Sequence, residues 1–128
     1  MERSGMVVDT SIFIEFLRAK NKTKTALFLI PDTDHIYISA VTLYELLIGA
    51  NTPEKVNDIK TLTEGLPVLE FNEDVASRAA QIYLKLRQQN KMIEFRDIFI
   101  AATCIVNELP LKMLNLKHFE RIDGLSFV

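Results

Sequence analysis

The sequence predicts an α/β fold, a three-layer α/β/α sandwich around a mostly parallel sheet, on three observations. Short apolar runs bounded by turn residues alternate with longer stretches whose apolar residues recur at helical spacing. The segments between successive runs are long enough for the crossover helices that parallel pairing requires. The first run, Met6-Val7-Val8, stops abruptly at Asp9-Thr10-Ser11 and passes straight into a helical pattern. With 128 residues, 48% hydrophobic and 25% charged, the chain has the size and composition of a single globular domain spanning 1–128.

The first strand feeds a helix over 11–19, with Ile12, Phe13, Phe16 and Leu17 on its apolar side. A basic loop over 20–24 precedes a short second helix around 25–29, which Pro31 closes. Asp32-Thr33-Asp34 reads as a turn before the β-rich run His35–Ser39. A helix over 41–50 ends near Gly49. The next opens at Thr52-Pro53, with threonine capping and proline at the first helical position. Gly65-Leu66-Pro67 breaks the chain ahead of a third strand over 68–71. The longest helix runs from Asn72 to about Gln89, with acids in its first turn and bases in its last, as the helix dipole favours. Residues 97–106 are apolar nearly all round and read as a buried helix. After Pro110 come a fourth strand over 111–114 and a candidate fifth over 125–128.

Composition narrows the function. The formal net charge of −2 counts against a general nucleic-acid binder, which needs a basic excess, but not against an enzyme with its acids gathered in one site. Basic residues cluster at Arg18, Lys20, Lys22 and Lys24, and again at Lys112, Lys117, His118 and Arg121. No apolar run approaches the roughly 20 residues of a membrane span. The start, Met1-Glu2-Arg3-Ser4, lacks an apolar signal segment. The single cysteine, Cys104, sits inside an apolar run and reads as a buried thiol. A cytoplasmic location is the expectation, with no membrane partner.

Three acids and one amide stand at element edges or inside apolar helices: Asp9, Glu45, Asp97 and Asn115. Each has an ordinary explanation. Asp9 and Asp97 can cap helices, Thr42 and Glu45 have the spacing of a capping box, and Asn115 suits a turn. Jointly they point elsewhere, because carboxylates brought together beside buried helices repel unless a cation neutralises them. Mg²⁺ takes few carboxylates, keeps several waters and leaves room for phosphate oxygens. His35 and His118 stand far apart without cysteine partners, which argues against zinc. There is no Gly-rich phosphate loop and no nucleophile elbow.

Four segments in order, Val8-Asp9-Thr10-Ser11, Ser39-Ala40-Val41-Thr42-Leu43-Tyr44-Glu45-Leu46, Arg96-Asp97-Ile98-Phe99-Ile100-Ala101-Ala102 and Asn115-Leu116-Lys117-His118-Phe119, resemble those of the PIN-domain ribonucleases. More narrowly, the chain is similar to the VapC toxins of toxin–antitoxin pairs. The resemblance implies a Mg²⁺- or Mn²⁺-dependent endoribonuclease acting on single-stranded RNA, tRNA or rRNA. It implies catalytic and metal-binding roles for Asp9, Glu45 and Asp97, a fourth ligand position at Asn115, and a supporting hydroxyl on Ser11. It also implies a homodimer and a VapB-type antitoxin laid across the active-site groove. Asn115 is uncharged where many members carry Asp, and Met113 stands where Thr or Ser is common. Arg18, Lys20, Lys22, Arg96 and Lys117 are candidate contacts to the RNA backbone. Two alternatives remain at this point: a catalytically silent interaction module on the same fold, and a phosphoacceptor receiver domain, for which the early paired acids are missing.

Overall fold

Alternation along one short strand sets the layering. In β1 (Gly5–Val8) successive side chains point to opposite faces. Val7 therefore enters one apolar cluster, while Met6 and Val8 enter another. The computed structural model describes residues 5–128; Met1 to Ser4, read above for a signal segment, lie outside the described residues.

Along the chain follow α1 (Thr10–Arg18), a 3₁₀ turn (Lys22–Lys24), β2 (His35–Ser39), α2 (Ala40–Ile48) and α3 (Pro53–Thr63). Then come β3 (Val68–Leu69), α4 (Glu73–Gln88), α5 (Phe95–Val106), β4 (Leu111–Lys112) and a second 3₁₀ turn (Leu116–His118). The sheet order is β3-β2-β1-β4 and every pairing is parallel. Gly5 pairs with His35 and Val7 with Tyr37 on one side of β1, and Val7 with Leu111 on the other. The α/β/α sandwich expected from the sequence is the observed architecture.

Ile12 and Phe13 of α1, Leu46 of α2 and Ile59 of α3 cover one face with Met6, Val8 and Ile38. Val75, Ala79, Ile82 and Leu86 of α4 cover the other with the buried residues of α5, Val7 and Leu111. These helical residues recur at three and four positions, so each helix presents one apolar stripe to the sheet. The chain moves outward from β1 to β2 to β3, and the next crossover returns it to the far side of β1. In an open α/β sheet, the crevice outside the carboxyl ends at such a reversal is where ligands bind. Here that crevice lies past Val8 and Lys112.

The structure differs from the sequence reading at several ends. Residues 25–29 form one hydrogen-bonded turn, Leu29 N–H to the Thr25 carbonyl at 3.2 Å, not a helix. Pro31 follows too soon for a second turn. β3 stops at Leu69, because Phe71 turns away to pack its ring on Phe99 with centroids 4.9 Å apart. β4 is likewise two residues long. The candidate fifth strand is a single parallel bridge between Leu111 and Phe127. α5 starts at Phe95, two residues ahead of the expected start. Cys104 is fully buried as expected, and burial pushes its thiol up to about 12. No helix among the described residues is long and apolar enough to cross a membrane.

Phe13 is fully buried between α1 and the sheet. Phe13→Ala is expected to lower unfolding free energy by about 3–5 kcal/mol, through lost transfer energy plus a residual cavity. A urea titration compared with wild type measures it.

Candidate active site

Asp9 occupies the join between β1 and α1. Its backbone N–H still belongs to the sheet, donating to the Lys112 carbonyl at 2.9 Å. Its side chain caps the helix: Oδ2 accepts from the Ser11 N–H at 3.2 Å and the Ser11 hydroxyl at 2.5 Å. Ser11 Oγ in turn accepts the N–H of Leu114 at 3.3 Å, across 103 residues of sequence. The capping explanation for Asp9 thus holds, and it leaves Oδ1 without a hydrogen bond among the described residues.

Asp97 is not a cap. The N-cap of α5 is Glu94, which makes no side-chain cap bond, and Asp97 sits buried within the first turn. Its carboxyl is raised from the ordinary 3.8 to about 6. Burial is the main cause; the His118 imidazole and Arg96 pull the value down, while the negative charges of Asp9 and Glu94 push it up. His118 Nδ1 stands 3.6 Å from Asp97 Oδ2, beyond direct hydrogen-bonding reach.

Glu45 is engaged on both oxygens. Thr10 donates its hydroxyl to Oε1 at 2.7 Å, and Arg96 reaches Oε2 at 3.2 Å. The capping-box reading of Thr42 and Glu45 does not hold, because β2 runs directly into α2 and Ser39 is the N-cap, accepting from Thr42 N–H at 3.0 Å. Asn115 caps the second 3₁₀ turn, its Oδ1 accepting from Lys117 N–H at 3.2 Å, and its amide nitrogen lies 3.2 Å from His118 Nε2.

All four sequence candidates line one cleft of about 540 Å³, together with Thr10, Ser11, Ile14, Ile48, Arg96 and His118. Among the described residues, no three His, Cys, Asp or Glu side chains close into a ready cation cage. The donor set nevertheless fits a hard divalent ion. Two carboxylates, Asp9 and Asp97, face a cleft wide enough for water, and the charge of Asp9 is felt at Asp97, which matches the few-carboxylate habit of Mg²⁺.

Of the candidate RNA contacts, Arg96 alone lines this cleft. Arg18 lines an adjoining depression that shares Glu45 and Gly49. Lys22 places its ammonium on the carbonyls that end α1, 2.7 Å from that of Phe16 and 3.2 Å from that of Leu17, which is C-terminal capping. Lys20 and Lys117 are exposed and line no part of the cleft. Sequence reasoning gave no site role to Thr10, Thr42 or His118. The signal for His118 was its spacing of three from Asn115 across a helical turn; the two threonines gave none beyond proximity to Asp9 and Glu45.

A parallel sheet with an acidic cleft at its switch point defines a class of α/β proteins built to act on ligands at the strand ends. The PIN domain family model matches residues 6–125, and the chain belongs to the PIN-domain family. Ribonuclease VapC of Rickettsia bellii (strain RML369-C) is 34% identical over 129 residues, covering 95% of this chain and 93% of that protein. VapBC-1 from nontypeable Haemophilus influenzae superposes with a TM-score of 0.81 at 28% identity, covering 97% of this chain and 96% of that one. FitAcB from Neisseria gonorrhoeae superposes with a TM-score of 0.77 at 27% identity, covering 96% of each.

The raised Asp97 carboxyl links stability to pH. The unfolded carboxyl loses its proton near 3.8 and the folded one near 6, so folding takes up a proton between those values. Stability from this group therefore falls as pH rises through that window, and its cost is complete above about 6. In EDTA, Asp97→Asn is expected to raise the thermal midpoint at about pH 8 and to lose that advantage by about pH 4. Equal shifts at both pH values would count against the assignment.

Proposed function

We propose that this protein is a Mg²⁺- or Mn²⁺-dependent endoribonuclease, the toxin of a VapBC-type pair, hydrolysing phosphodiesters of single-stranded RNA such as tRNA or rRNA. The observation that carries this reading is the gathering of Asp9, Glu45, Asp97 and Asn115 in one cleft at the sheet's switch point. Family membership and the ribonuclease names of the relatives support the hydrolase class.

Asp9 Oδ1 and the Asp97 carboxylate are the groups that would hold the cation, with Glu45 and Asn115 contributing through water. Bound there, the ion would supply Lewis acidity to the scissile phosphate. Ser11 holds Asp9 by donating its hydroxyl to Oδ2, which leaves Oδ1 available to a cation. Glu45 orients the attacking water and takes up its proton. Arg96, whose side chain is 52% exposed, can exchange its carboxylate partner for a phosphate oxygen with little loss, since exposed ion pairs are worth only about 0–1 kcal/mol. In-line attack leaves a 5′-phosphate and a 3′-hydroxyl. Arg18, which lines the depression adjoining the cleft, is a candidate contact to the RNA backbone beyond it.

A VapB-type antitoxin is the proposed partner, supported by the VapBC complexes among the structural neighbours, and a homodimer and cytoplasmic location complete the reading. The silent-module alternative draws on Asn115, whose carbonyl oxygen is already spent on the Lys117 N–H. Cleavage assays separate the two. Asp9→Asn and Asp97→Asn are each expected to slow cleavage of a labelled single-stranded RNA in Mg²⁺ by at least about a hundredfold, and EDTA to abolish it in wild type. Undiminished cleavage by either variant overturns the nuclease assignment.

A further inference from the structure

The hydrogen bonds behind Glu45 have a direction that chemistry imposes. A carboxylate gripped by Arg96 only accepts, so the single proton of the Thr10 hydroxyl goes to Glu45 Oε1, 2.7 Å away. Thr10 Oγ1 also lies 3.0 Å from Thr42 Oγ1, and with its own proton spent it must accept there. Thr42 then donates to Thr10 and accepts from the Ser39 hydroxyl at 3.1 Å. Ser39 Oγ closes the series by accepting the Thr42 N–H at 3.0 Å. We infer that Ser39, Thr42 and Thr10 form a one-way hydroxyl relay that fixes the Glu45 carboxylate in the cleft, making Ser39 and Thr42 positioning residues for phosphodiester cleavage.

Burial supports this assignment. Ser39 and Thr42 are 0% exposed, and a hydroxyl buried that deeply is unfavourable without partners. Packing alone would be served by Val at 42, and capping alone requires only Ser39. Two other helical threonines spend their hydroxyls on their own helix: Thr63 on the Ile59 carbonyl and Thr103 on that of Phe99, both at 2.8 Å. Thr42 stands in the first turn of α2 and bonds to two hydroxyls instead.

The two grips on Glu45 differ in kind. Arg96 is exposed and screened by salt, so it exchanges readily. Ser39 and Thr42 of the relay are buried and Thr10 is half-buried, so each donor polarises the next away from bulk water. When Arg96 leaves for a phosphate, the relay keeps Glu45 where the attacking water needs it.

This role rests on the nuclease reading, but the test separates the two. Thr42→Val replaces the hydroxyl with a methyl group and leaves the Thr42 N–H on its Ser39 cap; Thr42→Ser keeps the hydroxyl. With wild type active, Thr42→Val is expected to lower kcat roughly fivefold to twentyfold at near-constant KM, and Thr42→Ser less than about twofold. In a Glu45→Gln background the same Val substitution should change kcat less than about twofold, because the group it positions is gone. A crystal structure of Thr42→Val is expected to show the Glu45 carboxylate released from Thr10. Retained contact there overturns the relay whether or not the protein cleaves RNA, and with wild type active an unchanged kcat overturns it as well. Absence of cleavage by wild type overturns only the nuclease reading. Should Thr42→Val not fold, Thr10→Val is measured instead: a lowered kcat with the Glu45 carboxylate moved from its wild-type position supports the relay, and an unchanged kcat or an unmoved carboxylate overturns it.

Discussion

Repulsion between two carboxylates confined in one partly buried cleft is the constraint to which the rest of this structure answers. Burial raises the Asp97 carboxyl to about 6, and the negative charge of Asp9 adds to the effect. Nothing local forces such proximity. Packing imposes it: Val7 and Leu111 beneath α5 on one face, and Phe13 and Ile12 locking α1 to the other. Burial of these large apolar side chains is worth about 1.5–3 kcal/mol each, so the core readily holds two unfavourable charges in place.

The surrounding polar groups divide the work. Ser11 ties Asp9 to the exit of β4 through the Leu114 N–H, so the floor of the cleft depends on hydrogen bonds between segments distant in sequence. Glu45 is held separately, by threonine on one oxygen and arginine on the other. Asn115 and His118 close the far rim and touch each other. Asp9 and Asp97 line the same cleft and the charge of Asp9 is felt at Asp97, while Glu45 is held there by partners of its own. That separation suits a division between holding a cation and handling a proton.

The overall charge of −2 and the local arrangement are compatible for the same reason. Acids are drawn into the cleft, Arg96 beside them is engaged by Glu45 and Glu94, and Lys22 of the basic run is engaged by the carbonyls at the end of α1. A basic run in sequence is therefore a poor guide to a basic surface. Lys22 shows this most plainly, because the free carbonyls of a helix end take its ammonium before any external anion does.

The sequence by itself determined the alternation of strands and helices, the apolar stripe of each helix and the acidic cap at Asp9. All of these are written in local spacing, which repeats every two or 3.6 residues and needs no distant partner. Helix ends and short edge strands were less legible, since one turn at 25–29 and a ring contact at Phe71 decide them. Only the tertiary structure decided who meets whom: Thr10 with Thr42 and Glu45, Arg96 with Glu45, His118 beside Asp97. Those pairings follow from the β3-β2-β1-β4 strand order, and strand order is fixed by the burial of whole faces, a property no short window of sequence contains.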